Sequence, residues 1–312
     1  MKTNSKMWTG KGVWLKGNIH AHTTNSDGVC RPEEIALEYE RHGYDFVFLT
    51  DHDKRTVPDE IIRKPLLIPA EEVVFSSKGY DYHFVCLGLK KEWAAGSSHS
   101  PGQVLARARR EGVFIVQAHP YWCGVPSHKC VYPRGLTCPG MEVYNNVCDR
   151  LNGKGYSNVH WDDLLDAGHR ILGFAVDDTH NVTHIAGGWI MVKATHRTPD
   201  AILSAIRTGN FYSSQGPEIK SITVSRREIK IVCSPVMRIN FITNRWEGRS
   251  IFAAIESLTE AVWTVPQGKR YARIELVSAS GKTAWSNPIY FPPGPLQSPR
   301  LKPADWSGRQ CR

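Results

Sequence analysis

The sequence has no apolar run approaching the ~18 residues that a helical membrane span needs. Its first ten residues are polar and carry no apolar core of a secretory signal. Both absences lead to the expectation of a cytoplasmic protein without a membrane partner. Eight cysteines occur, but no Cys-x-x-Cys pair of a zinc module does, even where Cys123, Cys130, Cys138 and Cys148 crowd together. They are expected to be free thiols. There is no dense basic run, although the formal net charge is +9. Scattered Lys and Arg favour an anionic partner of some kind. A small phosphorylated substrate suits that charge; nucleic acid is possible but less favoured. There is no internal repeat, and no Ser or Cys motif suggests a covalent nucleophile.

What is present is imidazole and carboxylate in an ordered series. The apolar segment Val13 to Leu15 leads into Gly17-Asn18-Ile19-His20-Ala21-His22. In an extended strand, side chains two apart point the same way. His20 and His22 are therefore expected to aim at one spot where the strand ends. By itself a His-x-His pair is equally a pair of half-exposed loop residues. The later strand ends change that balance.

Strands are expected at Val13 to Ile19, Asp45 to Leu49, Leu66 to Ile68, Tyr82 to Leu89, Val113 to Gln117, Met141 to Tyr144, Ile171 to Val176 and Trp189 to Lys193. Helices are expected at Pro32 to His42, Ser100 to Arg110, His160 to Ala167 and from Thr198 to about Gly209. Pro32 suits a first helical turn and Gly43 a helix end. This alternation implies an α/β domain with a parallel sheet. Turn formers explain an Asp or Asn at a strand end, but not repeated histidines. The groups so delivered are His20, His22, Asp27, His52, Glu72, His83, His119, Asp178 and His180. Mixed His and carboxylate donors suit Zn, Mn or Fe rather than Mg or Ca. Clustered ions of that kind generate hydroxide and neutralise charge on an anionic ester. After Gly216-Pro217 the pattern shifts to short alternating strands, as in a small antiparallel sandwich. The expected division is 1–215, 216–292 and a Pro-rich, irregular tail over 293–312.

His-x-His, Ser26-Asp27-Gly28, Thr50-Asp51-His52, Glu72, His83, Ala118-His119-Pro120 and Asp178-Thr179-His180 together resemble the PHP (polymerase and histidinol phosphatase) superfamily. The resemblance covers about residues 14 to 194. Gly209-Asn210-Phe211-Tyr212 and Ala284-Trp285-Ser286-Asn287-Pro288 resemble a stand-alone subgroup with a C-terminal β-domain. The resemblance implies a distorted (β/α)7 barrel holding two or three divalent ions. It implies one ion on His20, His22, Glu72 and Asp178, a second on Glu72, His83 and His119, and a third on Asp27, His52 and His180. Glu72 is preferred to Glu71 as the bridge. The implied activity is hydrolysis of phosphate mono- or diesters by a metal-bridging hydroxide. Carbamate or acyl-ester hydrolysis on the same cluster, or a noncatalytic binding module, are the alternatives. His184 is a candidate proton donor. Arg134, Lys54, Arg55 and Lys129 are candidate phosphate contacts. Asp51 and Asp177 are candidate partners for the imidazoles. Glu142 and Asn145 are expected at the mouth of the barrel.

Overall fold

A computed structural model describes residues 4–8, 11–58, 64–93, 100–132 and 135–292. Arg134 and the 293–312 tail lie outside the described residues. The elements run β1 (Asn4–Lys6), β2 (Val13–Asn18), α1 (Pro32–Arg41), β3 (Phe46–Leu49), β4 (Leu66–Ser77), β5 (Tyr80–Leu87), α2 (Pro101–Glu111) and β6 (Phe114–Gln117). Next come β7 (Gly140–Asn145), α3 (Asn146–Asn152), α4 (Asn158–Asp166), β8 (Leu172–Val176), β9 (Trp189–Ala194), α5 (Pro199–Arg207) and β10 (Phe211–Ser214). The rest of the described chain is strand: β11 (Ile219–Ser225), β12 (Glu228–Val236), β13 (Arg238–Thr243), β14 (Arg249–Phe252), β15 (Leu258–Thr264), β16 (Tyr271–Val277), β17 (Thr283–Ser286) and β18 (Ile289–Tyr290).

The fold is mixed α/β, with one sheet of 14 strands and one of four. In the large sheet the order runs β14-β13-β16-β17-β10-β9-β2-β3-β4-β5-β6-β7-β8. The expectation of a wholly parallel sheet is not met. β2, β3 and β4 are parallel neighbours, as are β6, β7 and β8. β5, however, runs antiparallel to both β4 and β6. The reason is local. Lys78 and Gly79 both have positive φ, so β4 turns directly back as a hairpin. This strand was expected over Leu66 to Ile68 only. It instead continues through Glu71 and Glu72 as a strand of 12 residues. Burying carboxylates in a strand is costly unless they are paired, and these two are.

The segments after β2 and β8 meet directly. Ala21 and Thr179 form an isolated parallel bridge, and His22 N–H donates to Thr179 O at 2.8 Å. Asn18 reinforces the junction: its Oδ1 accepts from Asp177 N–H at 3.1 Å. Tyr39 of α1 reaches the same place, within 2.6 Å of Thr179 Oγ1 and 2.7 Å of Asn18 Nδ2. Pro32 opens α1, Glu33 and Glu34 sit in its first turn, and Ile35, Ala36 and Tyr39 are its buried face. Under the junction lies an apolar core that includes Ile19, Phe46, Phe48, Phe114, Phe174 and Val176. This core holds the strand ends in place.

Beyond Gly216, Ile222, Ile229 and Ile231 of the four-stranded sheet share a core with Ile239, Phe241 and Leu276 of the large one. The large sheet itself crosses the expected boundary, since β10 pairs with β17. Arg273, 1% exposed, joins the two regions. It grips Asp162 of α4 through two bonds of 2.7 Å and Glu275 through one of 2.6 Å. No helix of the described residues is long and apolar enough to cross a membrane.

Candidate metal centre

The strand ends bring all nine expected side chains together. His20 and His22 leave β2 on the same side, with their Nε2 atoms 3.1 Å apart. His20 Nε2 stands 3.1 Å from Glu72 Oε2 and 3.2 Å from Asp178 Oδ1. His22 Nε2 stands 3.2 Å from each of the same two oxygens. Four donors about 2.0 Å from one ion lie about 3.3 Å apart when tetrahedral. The observed spacings are those of a ligand set.

Glu72 Oε2 and Asp178 Oδ1 are buried, and neither has a hydrogen-bond partner. His52 Nδ1 is in the same condition and lies 3.1 Å from Glu72 Oε2. Buried polar atoms are almost always satisfied. Glu72 Oε2 and Asp178 Oδ1, both unsatisfied and facing the same two imidazole nitrogens, fit a shared cation.

The remaining groups flank this centre. His83 Nδ1 lies 2.9 Å from Glu72 Oε1, and His119 Nε2 lies 3.4 Å from it. The β4–β5 register explains His83. It pairs with Val74, two places from Val85, which faces Glu72, so His83 is Glu72's diagonal neighbour on one face of the sheet. Asp27 Oδ2 lies 3.4 Å from His52 Nε2 and 3.3 Å from His180 Nε2. Glu71 points to the opposite face, where it accepts from Trp93 N–H at 2.8 Å, so Glu72 alone reaches the cluster.

Four imidazoles have one nitrogen held by the protein and the other aimed inward. His20 Nδ1 lies 2.6 Å from Glu142 Oε1. His119 Nδ1 contacts Cys123 Sγ at 3.3 Å. His180 Nδ1 is 2.8 Å from the Asp178 carbonyl, and His22 Nδ1 is 3.4 Å from Ser26 Oγ. Such partners fix ring orientation and tautomer. Glu142 is the centre of this support. Its Oε2 also accepts from His119 N–H at 2.9 Å and from Asn145 Nδ2 at 2.8 Å. Asn145 Nδ2 reaches Asp178 Oδ2 as well, at 3.1 Å. His119 and Asp178 both have positive φ, at 24° and 55°. Non-glycine residues held in such backbone regions cluster at functional sites.

Asp51 and Asp177 do not touch the imidazoles. Asp51 instead accepts from Thr23 N–H at 2.7 Å and from the hydroxyls of Thr23, Ser26 and Thr56, which orders the 23–26 loop. Asp177 accepts from the N–H groups of Ala186, Gly187 and Gly188 and from Tyr44 Oη. Burial pushes its carboxyl up to about 6 despite those donors. Both acids hold backbone in place, as strand-end carboxylates often do. Gly28 closes the same loop: a Cβ there would lie 2.6 Å from the His22 carbonyl.

His184 is half-buried. Its Nδ1 accepts from His180 N–H at 3.2 Å, and its Nε2 lies 3.0 Å from Asn181 Nδ2. Arg55 donates through Nε to the Leu89 carbonyl at 3.1 Å. Lys54 and Lys129 are exposed.

Opposite charges override burial at His20, His22 and Glu72. Burial pulls the His20 imidazole down, but Asp178, Glu72 and Glu142 hold it well above its ordinary value. His22 is raised to about 9 by Asp178 and Glu72 against the same penalty. Burial would raise Glu72, yet His20, His83 and His119 hold it well below the usual carboxylate range. Exposure follows a gradient. The side chains of His20, His22 and Glu72 are at most 1% exposed, whereas His180, His52 and Asp27 are 26%, 29% and 52% exposed. The cluster therefore opens to solvent on the Asp27 side.

No family model matches the sequence, and no curated protein matches it. Solved structures do. A two-domain protein containing a predicted PHP-like metal-dependent phosphoesterase, from Bacteroides vulgatus, aligns over 93% of this chain and all of its own, at 14% identity and a TM-score of 0.50. A lesion-specific endonuclease from Pyrococcus furiosus aligns over 64% of this chain and 56% of its own, at 13% identity and a TM-score of 0.43. At these identities the likeness is one of fold alone: the chain shares the mixed α/β fold of that two-domain structure.

Proposed function

We propose that this chain is a PHP-superfamily hydrolase that cleaves phosphate esters with two or three divalent ions. In this reading a distorted seven-stranded barrel, β2 to β8, carries the ions, and the strands after Gly216 form an appended β-sandwich. One ion is held by His20, His22, Glu72 and Asp178, a second by Glu72, His83 and His119, and a third by Asp27, His52 and His180. The observation that carries the proposal is the convergence of Glu72 Oε2 and Asp178 Oδ1, both buried without hydrogen-bond partners, on two imidazole Nε2 atoms. Ions bound there supply hydroxide at neutral pH and positive charge for the phosphoryl oxygens.

The protein's own contribution is position. Glu142 keeps the Nδ1 proton on His20, so Nε2 presents its lone pair to the cluster. Asn145 ties Glu142 to Asp178 and keeps the two carboxylates from separating. An ester approaches from the exposed Asp27, His52 and His180 side. The ring of Trp122, centred 5.2 Å from His119, forms the opposite wall. His184 braces the 178–184 turn, because its Nδ1 already accepts from His180 N–H.

The test is hydrolysis of p-nitrophenyl phosphate and bis(p-nitrophenyl) phosphate after Mn or Zn loading and after chelation. Turnover that depends on the loaded ion is expected. Full activity after complete metal removal refutes the proposal. So does inertness toward both phosphates while an aryl carbamate is cleaved.

A further inference from the structure

The turn that follows His119 carries two aromatic side chains into solvent, Tyr121 and Trp122. Its backbone holds them firmly. Cys123 N–H donates to the His119 carbonyl at 3.1 Å, Gly124 N–H to that of Tyr121 at 3.2 Å and Val125 N–H to that of Pro120 at 3.0 Å. Val125, buried in the core, pins the end of the turn. The two rings are not equivalent. Tyr121 is covered from the side: Lys154 Nζ lies 5.6 Å from its centroid and the His160 ring 6.2 Å. Trp122 meets the cluster instead. Its ring is centred 5.2 Å from that of His119 and 6.2 Å from that of His83, at 77° and 80° to their planes.

The indole continues the open rim of the cluster. His52, on the solvent side, has its ring 5.8 Å from that of His83, and His83 in turn borders Trp122. The line of rings thus runs from the open side to the indole. Contact with the two imidazoles still leaves Trp122 37% exposed. An ester whose phosphoryl oxygens face the ions must point its organic group outward, along this rim. There the indole offers a large apolar surface with a π face. Such a surface prefers a second flat ring, offset or edge-on, to an aliphatic group of similar size. An indole also attracts cations, but a cationic group is disfavoured beside divalent ions.

We propose that Trp122 is a specificity-determining residue that packs against a planar aromatic group of the substrate, so that esters carrying a flat ring bind ahead of aliphatic ones. The inference rests on the reading of the cluster as a phosphate-ester site and adds the class of organic group that the site takes. Tyr121, its neighbour in the same turn and equally in solvent, has no such role, because its ring packs on Lys154 and His160 and not on the ligand imidazoles.

The experiment measures, by calorimetry on the Mn2+-loaded full chain, the dissociation constants of phenylphosphonate and cyclohexylphosphonate. Both present the same anion to the ions, neither has an ester bond to cleave, and only the first carries a flat ring. The parent is expected to bind the phenyl compound about tenfold more tightly, the scale of one aromatic contact. Trp122→Leu should bring that ratio near one. Trp122→Phe should keep most of it, and Tyr121→Ala should leave it unchanged. A ratio near one in the parent overturns the proposal. So does a ratio that survives Trp122→Leu, even where both compounds bind more weakly, because the indole then only braces His119 and His83. The two readings fail separately. A phenyl preference lost in Trp122→Leu, without hydrolysis of either p-nitrophenyl ester, refutes the phosphoesterase and keeps the aromatic contact; hydrolysis without a phenyl preference does the reverse.

Discussion

Replacing Glu142 with Gln tests whether the cluster is a metal site without touching a ligand. The carboxylate accepts three bonds, from His20 Nδ1 at 2.6 Å, His119 N–H at 2.9 Å and Asn145 Nδ2 at 2.8 Å. An amide of the same shape has one oxygen and one NH2 group. Whichever way it turns, a donor faces a donor. Either His20 loses its acceptor, or His119 and Asn145 lose theirs. A hydrogen bond to a charged group contributes about 1.5–3 kcal/mol, and a factor of ten corresponds to about 1.4 kcal/mol. Metal affinity is therefore expected to weaken about 10–100-fold, the range typical when a ligand's supporting partner is changed. The measurement is a chelator-buffered Mn2+ or Zn2+ titration of activity and of thermal stability. At saturating metal, kcat should stay near that of the parent, because Glu142 faces His20 and not the open side. A metal midpoint within twofold of the parent would show that Glu142 does not orient a ligand. A collapse of kcat with an unmoved midpoint would assign it to the reaction itself.

Two further outcomes follow from the charges. His22 titrates near 9 in the folded chain instead of its ordinary 6.5, so its contribution to stability is complete below pH 6.5 and is lost as pH rises through about 9. Metal takes the proton's place, so the stabilisation by Mn2+ or Zn2+ should grow over that interval, by about 1.4 kcal/mol per pH unit for each proton displaced; a thermal shift independent of pH between these limits counts against it. Arg273→Met leaves Asp162 and Glu275 facing an apolar side chain; urea unfolding should show a loss toward the lower end of about 3–5 kcal/mol, since Asp162 remains 33% exposed, and no loss would mean that the two acids find solvent.

The clustered residues were legible because their spacing is set by strand ends, which the apolar runs mark. Val13 to Leu15 and the buried run of β3 both announce where a side chain must emerge. The β4–β5 hairpin was not legible. Glu71 and Glu72 look like the end of a strand, because isolated acids are not buried; only the three-dimensional convergence of His20, His83 and His119 makes Glu72 tolerable there. The same blindness hid the job of Glu142. In sequence it is an acid in a strand, and nothing local says that its partner is 122 residues away. Asp51 and Asp177 erred in the opposite direction. Adjacent to ligands in sequence, they were natural candidates to hold imidazoles, yet the carboxylate of Asp51 is taken by three hydroxyls and the Thr23 N–H, and that of Asp177 by three backbone N–H groups and Tyr44. The helix α3 was missed for a different reason: its seven residues, opening with Asn146, carry too short an apolar pattern.

The choice of imidazole over carboxylate also bears on what the cluster can bind. Six of its nine donors are histidines, and only Asp27, Glu72 and Asp178 carry negative charge, with Glu142 behind them. Two divalent ions would just balance those four acids, and three would leave a surplus of positive charge. A site built mainly from Asp and Glu would hold the same ions with less net positive charge. Neutral donors keep the metal charge available to the substrate, where it stabilises the oxygens on which negative charge develops. The chain's overall charge of +9 acts in the same direction at longer range, by drawing anions toward the surface. In the proposed reading, ligand type and surface charge both favour an anionic ester.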